Sequence, residues 1–336
     1  MFSVSSRHWL GVWAGLEINL IGFLPILIYQ KRILERESAV KYFIIQALGS
    51  SLLIFGRLFR FDIRLSWEAL GRSYFPHSRG VALLGTGLLI KIGVFPFHLW
   101  LPRVIAGLSW LACLILATWQ KLAPILLVLS LSINSSSIFL IFLLSALGAG
   151  SGVIGGLGGL NQTQIRALLA YSSIGHIGWM LLGIALRERA VKAYFVIYIL
   201  ISVCIFVRLW SLDINNIKGL GSLIAGRHLG GLSFLVILLS LGGLPPLLGF
   251  ISKWIVISAA ATSPLWSFII LLILGSLISL FYYLRLFFSE VLAVNSERTK
   301  LEKFLKLKGH LLINIILLLN CLGGGALLLI FPYIFA

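Results

Sequence analysis

Residues 80–100 read GVALLGTGLLIKIGVFPFHLW. About 20 apolar residues at about 1.5 Å each cross the hydrocarbon core of a bilayer, so this run is a membrane-spanning helix. One charged residue interrupts it. Lys91 lies about 12 residues in, hence about 18 Å along the helix and near the bilayer midplane. A charge at that depth costs at least ~2.5–3.5 kcal/mol and is read first as functional. Just beyond it stands Pro96, which lacks a backbone donor and breaks the helix. Lys121 and Lys253 repeat the pattern in two other apolar segments. The set points to ions or protons moving through a membrane.

Composition agrees. The chain has 336 residues, 60% hydrophobic and 11% charged, against roughly 25% charged in a soluble domain. This is an all-α integral membrane protein with helices throughout. No cleavable signal peptide is expected, because the first apolar run is itself long enough to span. Cys113, Cys204 and Cys321 each fall in an apolar run without CxxC spacing, so they read as small core residues and no metal site is expected. A net charge of +17 suggests nucleic acid as a partner. The Lys and Arg residues instead lie mostly between apolar runs, where they set topology, so no nucleic acid is expected. The glycines around Gly155 and Gly158 lack the strand–helix context of a phosphate loop.

Ten spans are expected, near 8–29, 38–60, 79–101, 108–130, 136–160, 165–186, 190–210, 230–260, 264–289 and 309–331. They form a single transmembrane domain over 1–336, with a first half at about 1–130, a second at about 136–289 and a final helix at 309–331. Connections are short except 61–78, 211–229 and 290–308. With ten spans both termini share a side that carries 9 Lys and Arg residues; the other side carries 15. The positive-inside rule then places both termini away from the cytoplasm or matrix. Trp9, Trp13, Trp100 and Trp110 read as interface anchors. The glycine-rich fifth span suits close helix packing.

Two spans are interrupted, at Pro96 and at Pro245–Pro246 within LGGLPPLLGF. Freed backbone groups in a bilayer are tolerated only against protein or a water-filled cavity. Matching interruptions in two halves point to a transporter's working site. Lys91 precedes the first break and Lys253 follows the second. Glu17, in GVWAGLEINLIGFLP, is the one carboxylate placed mid-span. Burial disfavours the charged form of either group, and an opposite charge nearby favours it. Making or breaking a Glu–Lys pair therefore changes how firmly the lysine holds its proton. A lone buried lysine also serves in structural ion pairs; three at similar depth, two beside proline breaks, favour charge transfer. Lys121 is too deep to snorkel. The depth of Lys253 depends on how the Pro245–Pro246 break runs. His176 in AYSSIGHIGWM reads equally as a packed side chain or a relay member, and so does His98. The string NQTQIR at 161–166 reads as a loop and helix start.

The runs WAGLEINLIGFLP, LLIKIGVFPFHLWLPRV, TWQKLAP, GGLNQTQIRALLAYSSIGHIGWM and LSLGGLPPLLGFISKW occur in that order. Together they resemble the chain 2 family of mitochondrial NADH–ubiquinone oxidoreductase, antiporter-like membrane subunits of respiratory complex I. TWQKLAP and SLGGLPPLLGF separate it from the sister antiporter-like subunits. The resemblance implies two inverted repeats, each with a broken helix. It implies Glu17 as the acid paired with Lys91, Lys121 as the central lysine, and Lys253 as the lysine passing charge to a neighbouring subunit. No cofactor is expected on this chain; NADH, FMN, iron–sulfur clusters and ubiquinone would belong to partner subunits. Implied partners are other antiporter-like and small hydrophobic subunits, accessory subunits and lipids such as cardiolipin. The location implied is the mitochondrial inner membrane, with both termini on the intermembrane-space side. Animal relatives usually carry a further apolar helix ahead of the Glu17 segment. Ten helices are thus expected where relatives have eleven, with a lipid or accessory subunit covering the exposed flank. The alternative reading is an autonomous cation/proton antiporter.

Overall fold

A computed structural model describes residues 2–6, 8–29, 31–58, 78–135, 138–212, 228–261, 263–293, 320 and 323–325. Most of the expected final helix at 309–331, Cys321 and most of the three long connections lie outside those residues. Every regular element among the described residues is an α-helix. The chain forms two compact units, Met1–Leu147 and Gly148–Ala336.

The first unit holds α1 (Phe2–Ser5), α2 (Trp9–Leu27), α3 (Ile33–Leu58), α4 (Ser78–Ile92), α5 (Trp100–Gly107), α6 (Trp110–Ala117) and α7 (Trp119–Ser135). At its centre α3 packs against α2, α4 and α5. Its buried stripe is Glu35, Ser38, Ala39, Tyr42, Gln46, Gly49, Ser50, Leu53, Gly56 and Arg57. The opposite face exposes Val40, Phe43, Ile44, Leu48 and Phe55. Polar and small residues inside with apolar residues outside is the pattern lipid selects. The stripe glycines let α4 approach: a Cβ at Gly56 would lie 2.8 Å from the Leu84 nitrogen, and one at Gly87 2.9 Å from the Gly49 carbonyl.

The helix α8 (Ile138–Gly159) leads into the second unit, which holds α9 (Ile165–Leu186), α10 (Glu188–Leu212), α11 (His228–Gly242), α12 (Leu248–Ala260) and α13 (Trp266–Ala293). Almost all of α9 is buried, with α10, α12 and α13 packed on it. Glycines of the expected glycine-rich span make the close packing. A Cβ on Gly178 of α9 would meet the Gly148 carbonyl at 2.5 Å, and one on Gly275 of α13 the Gly152 carbonyl at 2.5 Å.

The first nine expected spans all fall on these helices. Seven are long and apolar enough to cross a membrane: α2, α3, α6 with α7, α8, α9, α10 and α13. The other two are the interrupted pairs α4–α5 and α11–α12. Chain near 161–164 turns before α9, as NQTQIR suggested.

Three expectations change. First, α3 starts at Ile33, ahead of the expected 38, because its first turns are polar and escape a hydropathy window. Glu37 therefore lies on a helix, accepting from Lys41 Nζ at 2.6 Å. Second, Arg57, Arg166 and Arg208 are buried at helix ends rather than free in loops. Third, Trp9, Trp100 and Trp110 are buried, so they are core residues and not interface anchors. Among the described residues the exposed tryptophans are Trp119, Trp210, Trp254 and Trp266.

Candidate functional site

Glycine, not proline, ends each broken helix. The residue after α4 is Gly93 at φ +82°, and the residue after α11 is Gly243 at φ +80°. A left-handed residue there turns the chain out of the helix without a Cβ penalty. The two breaks share their hydrogen bonds. Gly93 N–H donates to Leu89 O and Ile90 O, and Val94 N–H to Leu89 O. Gly243 N–H donates to Leu239 O and Ser240 O, and Leu244 N–H to Leu239 O. Pro96 and Pro246 then stand at the same place in each turn, both after a cis peptide bond. The correspondence thus runs from Pro96 to Pro246, with Pro245 one step earlier.

The remaining carbonyls are capped differently. In the first unit Trp100 Nε1 donates to Ile90 O at 3.2 Å and Gln46 Nε2 to Lys91 O at 3.3 Å. In the second, Lys253 Nζ donates to Gly242 O at 2.8 Å. A cation at a helix C-terminus meets the negative end of the helix dipole. Lys253 is thus folded back onto the break that precedes it, which fixes its placement. A Cβ on Gly243 would lie 2.9 Å from Lys253 Nζ.

Lys91 sits on the last turn of α4, buried against α3. Its side chain runs over Gly49, where a Cβ would come within 2.8 Å of Lys91 Cγ. Glu17, half-buried on α2, is near enough for its charge to act on Lys91, yet no ion-pair contact joins them. Lys121 is buried on α7, 2% exposed. The helix bends just before it: α6 ends at Ala117, and Thr118 Oγ1 donates to Leu114 O at 2.7 Å. Next to Lys121, Gln120 joins three helices. Asn19 Nδ2 of α2 donates to Gln120 Oε1 at 2.6 Å, and Tyr42 OH of α3 to the same oxygen at 3.3 Å. The Tyr42 ring also packs on Trp100, centroids 5.9 Å apart. His98 is buried in the turn between α4 and α5, its ring 6.2 Å from that of Phe95.

In the second unit His176 is buried on α9. Its Nδ1 shares a 2.8 Å hydrogen bond with Tyr194 OH of α10, and its ring lies 5.2 Å from that of Tyr198. His176 and Lys253 line one cavity of about 20 Å³. Sequence reasoning placed the charged residues but missed Gly49, Gln46, Asn19, Gln120 and the buried tyrosines. Amides inside apolar spans were the available signal for three of them. Among the described residues no three His, Cys, Asp or Glu side chains gather as metal ligands, and no step below runs through a metal.

Fold and site together define an antiporter-like membrane protein: helix bundles in which broken helices seat buried lysines. The transmembrane family described as NADH:quinone oxidoreductase/Mrp antiporter matches residues 6–279. NADH-ubiquinone oxidoreductase chain 2 of Locusta migratoria is 36% identical over 300 residues, 88% of this chain and 83% of that one. The chain belongs to the NADH-ubiquinone oxidoreductase chain 2 family. Among solved structures, respiratory complex I from Thermus thermophilus matches with a TM-score of 0.83 and 29% identity, over 98% of this chain and 76% of that one. The Mrp complex from a Dietzia species shares the fold at a TM-score of 0.76 and 19% identity, over 85% of this chain and 57% of that one.

Proposed function

We propose that the chain is a core membrane subunit of a proton-pumping NADH:ubiquinone oxidoreductase, and that Glu17, Lys91, Lys121, His176 and Lys253 carry its share of the proton movement. The carrying observation is the seating of Lys253, whose ammonium is held by the carbonyl end of a broken helix. A buried cation held by a helix end, with a histidine on the same cavity, has somewhere to send its proton. In the first unit, Glu17 acts on Lys91 through space without contact. A small approach or withdrawal of α2 then changes how firmly Lys91 holds its proton. Redox chemistry, with its flavin, iron–sulfur clusters and quinone, belongs in this reading to partner subunits, which drive the chain through conformation and charge. The setting is the mitochondrial inner membrane, both termini facing the intermembrane space. The groove of about 510 Å³ lined by Ile18, Phe23, Leu114 and Trp119 is where the lipid or accessory subunit expected on the flank of α2 would lie.

The test uses Lys91→Met, Lys121→Met and Lys253→Met in the assembled complex, with protons moved per NADH oxidised as the readout. Assembly is checked first, since each substitution changes a buried side chain and its contacts. A lower proton yield is expected in each variant that assembles. An unchanged yield in all three would sink the relay.

A further inference from the structure

The amides of the first unit reach further than the helices they sit on. Gln120 stands beside Lys121 in the first turn of α7, just after the bend at Thr118. Its side-chain oxygen accepts from Asn19 Nδ2 at 2.6 Å and from Tyr42 OH at 3.3 Å, so both of its lone pairs are taken. Its Nε2 donates back to Asn19 Oδ1 at 3.5 Å. Each of the two donors leads toward another charged residue. Asn19 is two residues from Glu17 on α2. Tyr42 is 2% exposed; its ring meets Phe23 of α2 edge-on at 5.5 Å and packs on Trp100 at 5.9 Å. Trp100 in turn donates to the carbonyl of Ile90, the residue before Lys91. A continuous path of hydrogen bonds and ring contacts thus joins the neighbour of Lys121 to the neighbour of Lys91, and α2 grips it twice, at Asn19 and at Phe23. Amides also glue helices together in lipid with no further purpose. Glue would serve anywhere along the seam, whereas these contacts end beside the two lysines and on the helix that carries the acid.

We propose that Gln120 is a positioning residue for Lys121, and that Tyr42 ties it to the break that seats Lys91. Neither residue takes or gives a proton. One helix, α2, carries Glu17, Asn19 and Phe23. A shift of α2 that changes the charge felt by Lys91 therefore also pulls on Gln120, and with it the first turn of α7 that holds Lys121. The bend at Thr118 lets that turn move without carrying α6 along. Packed side chains and hydrogen bonds of this kind couple distant groups, and the coupling is reciprocal. A change at Lys121 is returned to Lys91 through the same contacts. The inference rests on the reading that Glu17, Lys91 and Lys121 share in proton movement.

The experiment is a double-mutant cycle in the assembled complex, with Gln120→Leu made in the wild-type chain and in Lys121→Met. Proton yield per NADH is read beside NADH oxidation with an uncoupler. Gln120→Leu is expected to lower the yield in the wild-type chain, to leave uncoupled oxidation intact, and to cause no further loss in Lys121→Met. The exchange Asn19→Gln/Gln120→Asn keeps an amide pair of the same combined length across the seam and should recover part of the loss. Tyr42→Phe keeps both ring contacts and removes only the hydroxyl. It is expected to give a smaller loss, again absent in Lys121→Met, and it carries the test if Gln120→Leu assembles poorly. A full yield from Gln120→Leu and Tyr42→Phe, an equal loss in both backgrounds, or no recovery in the exchange overturns the inference. Lys121→Met alone separates the two levels. If it lowers the yield and the amide and tyrosine variants do not, only the tie fails. If it leaves the yield unchanged, the relay reading of Lys121 fails and the tie with it.

Discussion

At the scale of single residues, Gly93 and Gly243 do the same backbone work but differ in what they touch. Both sit at φ near +80°, where any other residue costs about 1–3 kcal/mol. Gly93→Ala and Gly243→Ala should therefore lower the thermal stability of the assembled complex by similar amounts. Their effects on pumping should diverge. A Cβ at Gly93 meets Leu101 and Trp100 at 3.0 and 3.3 Å, whereas one at Gly243 meets the Lys253 ammonium and stem. Proton yield per NADH should fall for Gly243→Ala and stay near wild type for Gly93→Ala. Equal yields would mean that Lys253 is not held by its break. The lysines and Glu17 were legible in the sequence because a charge inside an apolar run stands out against its neighbours. Their supports were not. Gln46 and Lys91 are 45 positions apart, and Asn19 and Gln120 are 101 apart. Nothing local to either member announces the other. The prolines drew attention to the breaks, but the residue that ends each helix is a glycine three positions earlier.

At the scale of elements, hydropathy located the spans well because lipid imposes a length that the chain must meet. It failed where a helix is only bent or where a residue type suits two settings. The bend at Thr118 leaves the apolar run intact. Tryptophan serves the interface and the helix core equally well, so Trp100 looked like an anchor when it seals the first break through Ile90 O. The glycine-rich span was readable, and its packing makes a sharp expectation. On Gly178 and Gly275 a methyl would press on carbonyl oxygens of the facing helix at 2.5 Å, and neither backbone can yield without separating the helices. Gly178→Ala and Gly275→Ala should each sharply reduce assembled complex on a native gel. Gly85→Ala is the control, because a Cβ there has nothing within 4 Å, and alanine favours the helix by about 1 kcal/mol. Normal assembly of the two seam variants would refute helix contact through glycine.

At the scale of the whole molecule, family membership leaves two ways of working, since the same fold serves NADH:quinone oxidoreductases and the Mrp complex. The site supports dependence on partners. An autonomous exchanger must bind its cation, release it and reset using its own groups. The described residues offer buried lysines, one of which, Lys253, shares a cavity with His176. Those groups suit proton transfer and repel metal cations, and in the proposed reading the drive comes from partner subunits. Reconstituted alone in liposomes under an imposed sodium or potassium gradient, it should leave the internal pH unchanged beyond the leak of empty vesicles. The assembled complex in matched liposomes should acidify or alkalinise the lumen only while NADH is oxidised. Lys253→Met in that complex should lower the pH change per NADH, while oxidation measured with an uncoupler persists. Cation-driven pH change by the isolated chain, abolished by Lys253→Met, would instead establish the autonomous antiporter. The same residue would then serve a different source of energy, which is why the drive, and not the lysine, has to be varied to tell them apart.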